Sequence, residues 1–189
     1  MPQRSKAERS DLPDGVRELL DKQACVELVY RLARAIDRCD EDLLRSLFTP
    51  AATDNHGSFC GSAVEFADWV MPVLATMRRT QHCIANVLIE LKGDVAFGES
   101  YFVAHHALPQ AAGPDAHMVA AGRYLDRFER TQGEWRIAHR QACYDWNAQA
   151  LSTDGWNRAQ SGWTFGERGA NDASYANFAG HLSPNNASI

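Results

Sequence analysis

Asp37 and His82 are the two side chains of this chain best suited to work together. Asp37 stands near the end of a long amphipathic run, in Ala35-Ile36-Asp37-Arg38-Cys39-Asp40. His82 stands in Thr80-Gln81-His82-Cys83-Ile84-Ala85-Asn86, at the start of the first strongly strand-like run. A carboxylate that orients an imidazole makes a general base, because it fixes the tautomer and stabilises the imidazolium formed on proton abstraction. If the two meet, the chain is an enzyme that takes a proton from carbon. Taken alone, an acid at a helix C-terminus opposes the helix dipole, which already argues for a specific task. A lone strand histidine carries less weight.

Other residues could join them. His105 and His106 are neighbours on a strand and face opposite ways, so only one can line a pocket. His106 shares its face with Ser100, Phe102 and Ala104, and His105 with Glu99, Tyr101 and Val103. Tyr30 lies seven residues before Asp37, nearly two full turns, and so on the same helical face. Arg123, Arg127 and Arg140 fall on adjacent expected strands. They form an exposed ladder with Asp126, Glu129 and Glu134, or one of them, Arg140 for preference, reaches inward to hold an anion. Tyr144 and Trp146 wall a pocket or fill the core. No HxH or HExxH pair exists and the acids are scattered, which argues against a metal.

The elements that must position these groups are legible. Val16, Leu20, Leu28, Leu32 and Ile36 recur at helical spacing and predict a helix over about 14–39. Asp40 is the expected N-cap of a short helix over 41–48, stopped at Thr49-Pro50. A short strand follows over 51–59. A third helix is expected over 62–78, with Pro72 kinking or breaking it. Strands are then expected at 81–91, 95–108, 117–130 and 135–146, with turns at Lys92-Gly93-Asp94 and Thr131-Gln132-Gly133-Glu134. Helices followed by antiparallel strands indicate α+β.

Residues 1–13 read as a flexible lead, 14–147 as one domain and 148–189 as an irregular extension. That extension holds Trp156, Trp163, Phe165, Tyr175 and Phe178, too many aromatics for a disordered tail. It packs over the body or a neighbouring subunit, and its aromatics could act as a lid. A length of 189 residues suits one domain, and 45% hydrophobic with 23% charged residues is ordinary for a globular protein. A net charge of −5 gives no reason to expect nucleic acid or an anionic membrane. The apolar runs are too short to span a bilayer, and the polar start lacks a signal peptide, so the expectation is a cytoplasmic protein. The five cysteines contain no CxxC and read as reduced thiols, mostly small core residues. Cys83 is an alternative nucleophile, set against it that it faces away from His82.

The order of elements resembles the nuclear transport factor 2-like superfamily, and within it the SnoaL-like group of polyketide-cyclase relatives. That group includes scytalone dehydratase, hexachlorocyclohexane dehydrochlorinase and bile-acid 7α-dehydratase. The resemblance covers roughly 15–147. It rests on the Asp37 and His82 segments above, on Gly122-Arg123-Tyr124-Leu125-Asp126-Arg127-Phe128-Glu129-Arg130 and on Gly133-Glu134-Trp135-Arg136-Ile137-Ala138-His139-Arg140. It implies a cone-shaped barrel, a curved and mainly antiparallel sheet wrapped around the N-terminal helices. It also implies that Asp37 and His82 form an acid–base dyad in that cone, and that His106 matches a second histidine of scytalone dehydratase. Several relatives place a tyrosine five residues before the aspartate, where this chain has Leu32, which leaves Tyr30 as the substitute hydroxyl. The implied activity is a cofactor-free lyase of dehydratase type, acting on an apolar, ring-containing small molecule in a cone lined by Phe102, Trp69, Met71 and Trp146. The same dyad could serve an isomerase or cyclase, and the fold also serves as the non-catalytic small subunit of ring-hydroxylating dioxygenases. The exposed face of a curved sheet needs covering, so a homodimer or homotrimer is expected.

Overall fold

A computed structural model describes residues 12–156 and 164–179. Helix α1 spans Asp14–Arg38, α2 spans Glu41–Ser46, strand β1 spans Phe48–Asn55 and β2 spans Cys60–Ser62. Helix α3 spans Ala63–Ala75, and strands β3 (Arg79–Lys92), β4 (Val95–Leu108), β5 (Ala116–Thr131) and β6 (Glu134–Leu151) follow. A single 3₁₀ turn (Gly169–Asn171) and the short helix α4 (Ala173–Phe178) lie in the C-terminal extension.

The six strands form one unclosed sheet in the order β2-β1-β6-β5-β4-β3. All pairings are antiparallel except β1 with β6, which is parallel. Fourteen-to-eighteen-residue strands stay in one sheet because they bend. Register shifts at Ala85/Leu88, Ala121/Gly122 and Arg127/Phe128 mark the bends. At Gly122 a methyl group would stand 2.0 Å from the Cys143 carbonyl oxygen, so only glycine permits this approach of β5 to β6.

The core lies between the concave sheet and α1 with α3. Phe66, Phe128, Leu32, Leu44 and Ile137 are its largest fully buried side chains. Each contributes about 1.5–3 kcal/mol by leaving water. Asp21, buried near the start of α1, accepts two hydrogen bonds from Arg130 (2.9 and 2.7 Å) and one from the Trp135 indole (3.0 Å). This clamp fixes α1 against β5 and β6 and so sets where its far end falls.

Boundaries moved where local chemistry overrode periodicity. Helix α2 ends at Ser46, because Phe48 to Asn55, including Thr49-Pro50, already forms β1. Helix α3 is opened by a reciprocal Ser62–Glu65 capping box and runs through Pro72, but stops at Ala75 because β3 begins at Arg79. Strand β6 continues to Leu151, five residues past the expected end at Trp146. Of the cysteines only Cys25 is buried, with its thiol pushed up to about 12 mainly by burial. Cys60 and Cys83 are exposed, which corrects the reading of the thiols as mostly core residues.

Candidate active site

Asp37 is the second-last residue of α1, which ends in a left-handed Cys39 whose backbone N–H returns to Ile36. Strand β3 is the sheet's edge and pairs only with β4. An edge strand presents unpaired backbone groups on its outer side. The helix end uses this: the His82 backbone N–H donates to Asp37 Oδ2 at 2.8 Å, and His82 Nδ1 meets Asp37 Oδ1 at 2.8 Å. One carboxylate therefore fixes both the backbone and the ring of His82. With Nδ1 bonded to the acid, Nε2 is the ring nitrogen left for a substrate.

Both side chains are shielded, His82 at 10% and Asp37 at 12% exposure. Burial alone would raise the Asp37 pKa, but the hydrogen bonds and charge of His82 outweigh it and hold the carboxyl below its usual range. The acid is thus an anion at neutral pH.

His82 faces a cavity of about 290 Å³. Its wall is mostly apolar: Leu32, Ile36, Phe66, Trp69, Phe102 and Met118 are among the residues that line it. His106 shares this wall, its ring edge-on to His82 with centroids 5.8 Å apart. Burial first, and His82 second, lower the His106 pKa to about 4, so it is a neutral imidazole at pH 7. Its Nδ1 is buried without a partner among the described residues. A broader polar cleft of about 820 Å³ touches Asp37 and His106 from the side of the extension. His82 lines the apolar cavity, so that cavity is the candidate site.

The faces of strands and helix separate the remaining candidates. Phe102, Trp69, Tyr144 and Arg140 line the cavity. Arg140 is fully committed there: its Nε and Nη2 each donate to Asp126 at 2.7 Å, and its guanidinium lies 4.0 Å over the Tyr124 ring. Arg123 and Arg127 instead lie outside, paired with Glu99 and Asp145 and with Glu129. His105 turns away from His106 and stacks on His117, with Nδ1 3.1 Å from Nε2 of its neighbour.

Three expected residues fall elsewhere. Tyr30 shares the helical face of Asp37, but about 10 Å back along the helix that face is open to solvent, and Tyr30 is 47% exposed. Trp146 is 55% exposed, because β6 beyond Cys143 runs out past the core. Met71, on α3, packs against the core cluster and does not line the cavity.

Two residues were not singled out from sequence. Asp54 and His56, two apart on β1 and its end, form a second carboxylate–imidazole contact, and His56 lines the same cavity. Alternation was the available signal, since residues i and i+2 of a strand share a face.

The extension docks on the helix end that carries the dyad. Arg38 reaches Asp172 (3.3 Å), Tyr175 donates to Asp40 (2.6 Å) and Arg34 donates to Ser174 (2.8 Å). Trp156 and Phe165 border the polar cleft, 6.3 Å apart. Trp163 lies outside the described residues.

A model of the SnoaL-like domain matches residues 17–141. The chain belongs to the SnoaL-like family. Its fold is the nuclear transport factor 2-like cone, as solved relatives confirm. A type 2 hexachlorocyclohexane dehydrochlorinase (LinA) superposes with a TM-score of 0.66 at 18% identity, covering 76% of this chain and 100% of that one. The type 3 enzyme from Novosphingobium barchaimii gives 0.64 at 16% identity over 76% and 97%. A candidate scytalone dehydratase from Novosphingobium aromaticivorans gives 0.58 at 18% identity over 75% and 97%. At these identities the likeness is one of fold. A search of curated protein sequences finds no match. Among the described residues, no helix is long and apolar enough to cross a membrane.

Proposed function

We propose that the protein is a cofactor-independent lyase of the cytoplasm, which eliminates a leaving group from an apolar, ring-containing small molecule. The observation that carries this reading is the pair of 2.8 Å contacts by which Asp37 holds His82 at the wall of an apolar cavity. In the reaction, His82 Nε2 takes a proton from carbon beside an activating carbonyl. The C–H electron pair becomes the new double bond, and the leaving group, a hydroxyl in the dehydratase form, departs with the electrons of its bond. Asp37 stabilises the imidazolium. Apolar walls keep water from the transferred proton.

The cavity narrows the substrate. Its 290 Å³ stands at the lower edge of the roughly 300–1,000 Å³ common for ligand sites. That favours a compact ring ketone over a steroid. Phe102, Trp69 and Tyr144 would hold its ring, and His106, a neutral imidazole on the same wall, would meet an oxygen of the substrate.

The experiment is incubation with a compact β-hydroxy ketone such as 3-hydroxyindan-1-one, followed by mass analysis. Elimination removes one water, whereas an isomerase or cyclase using the same dyad conserves mass. Conversion that persists unchanged in His82→Gln would sink the reading. The reading extends to assembly: the exposed sheet face bearing Leu88, Phe97, Tyr101 and Leu125 would be covered in a homodimer or homotrimer. Light scattering decides this, and a monomer at micromolar concentration would refute it.

A further inference from the structure

His82 is not the only imidazole in the cavity held by a buried carboxylate. His56 Nδ1 bonds Asp54, which is 1% exposed, and the His56 ring stacks on Phe66 with centroids 4.8 Å apart. It also packs against Tyr124, and the Tyr144 hydroxyl donates to its backbone carbonyl at 3.4 Å. The ring is thus fixed on several sides and presents Nε2 as its remaining polar atom.

The two imidazoles enter from different levels of the cone. His82 pairs with Ala104 and Ala104 pairs with Ala120, so His82 stands at the Ala120 level of β5. His56 contacts Tyr124, four residues (124 − 120) further along the same strand. Four strand residues span about 13 Å. Side chains reaching in from both levels leave room between them for one compact ring, in keeping with the cavity volume.

A buried charge cluster borders the His56 contact. Asp54 is directly in register with Arg140 on the neighbouring strand, and Arg140 is bidentate with Asp126. Asp54, Asp126 and Arg140 are all buried, which puts two carboxylates against one guanidinium. Asp54 Oδ2 has no hydrogen-bond partner among the described residues. Buried charge that is not balanced is expensive. His56 is the imidazole in direct contact with Asp54, so a general acid at this position would carry its proton beside that carboxylate.

We propose that His56, held by Asp54, is the general acid of the elimination, and that it protonates the leaving hydroxyl while His82 removes the carbon-bound proton. This rests on the lyase reading above. The balance is complete: the C–H proton goes to His82, the C–H electrons form the double bond, and the C–O electrons leave with oxygen. The His56 proton converts that oxygen to water. His56 ends neutral and His82 protonated, and solvent exchange restores both before the next turnover.

The leaving group tests this assignment apart from the lyase reading. A hydroxyl needs a proton to depart, whereas an acetate leaves without one. With 3-hydroxyindan-1-one, His56→Gln is expected to lower kcat/KM by roughly 10²–10⁴-fold, the usual span for a general acid. With the 3-acetoxy analogue it should fall by less than about fivefold, while His82→Gln abolishes both. Equal losses on both substrates in His56→Gln, or none on either, overturn the role of His56 and leave the dyad standing. Survival of both activities in His82→Gln overturns the lyase reading instead. Nitrogen-15 NMR of the wild-type histidines needs neither turnover nor a stable variant. It should find both His56 ring nitrogens protonated at pH 7, and a neutral His56 ring overturns the assignment. If wild type turns over neither ketone, the compact ring-ketone substrate is wrong, and the NMR result alone decides the state of His56.

Discussion

Removing Asp126 would strand one of the most enclosed charges in the protein. Arg140 and Asp126 have side chains only 3% and 1% exposed, and their two 2.7 Å hydrogen bonds are bidentate. Burial pulls the Arg140 pKa down, yet Asp126 outweighs it and keeps the group a cation. In Asp126→Ala that cation stays buried without its fork partner. Breaking a buried pair from one side costs about 3–5 kcal/mol. Asp54, in register with Arg140, offers partial compensation. The expected loss therefore sits at the lower end, about 3 kcal/mol. For a chain of this length that is a fall in Tm of roughly 6–12 °C. The assay is equilibrium urea unfolding, with the slope of the transition unchanged. Adding Arg140→Met to Asp126→Ala removes the stranded charge and should recover most of the loss, because an apolar replacement of a buried pair is often near neutral. A single-variant loss below about 1 kcal/mol, or no recovery in the double variant, would refute the assignment of this pair as a dry, mutually dependent unit.

Two further outcomes follow from particular contacts. Gly122→Ala drives a methyl into the Cys143 carbonyl at 2.0 Å, and overpacking against rigid backbone should cost about 3 kcal/mol or more; an unchanged Tm would contradict the bulge geometry. His106 has its folded-state pKa lowered to about 4 from the ordinary histidine value of about 6.5, so between those values the unfolded chain binds more protons and stability falls as pH drops. The shift corresponds to at most about 3 kcal/mol, and less after solvent screening of this part-exposed ring. Denaturation at pH 7.5 and 4.5 should therefore show a smaller pH loss in His106→Phe than in wild type, and equal losses would contradict a lowered His106 pKa.

Much of this arrangement was legible because it follows from local periodicity. Alternation separated His106 from His105 and His82 from Cys83, and the helical stripe placed α1 with Asp37 at its end. Tyr30 shows the limit of that logic: helical phase was right, but phase does not say how far the facing sheet extends. Trp146 failed for a related reason, since β6 outruns the core that would bury it. Asp54 and His56 escaped notice because their partners, Arg140, Tyr124 and Phe66, come from three distant elements. The β1 segment carries the Asp-x-His spacing, but only the parallel pairing of β1 with β6 turns it into a buried charge cluster. That pairing depends on a crossover that no local pattern encodes.

The central claim is that Asp37 makes His82 a carbon-directed base. Its most direct measurement is deuterium incorporation at the α-carbon of indan-1-one in heavy water, which reads proton abstraction without any leaving group. Wild type should catalyse exchange, His82→Gln should abolish it, and Asp37→Asn should slow it by about 10⁴-fold, as loss of an orienting carboxylate does in a triad. Exchange at the wild-type rate in both variants, with the fold intact by circular dichroism, would contradict the account.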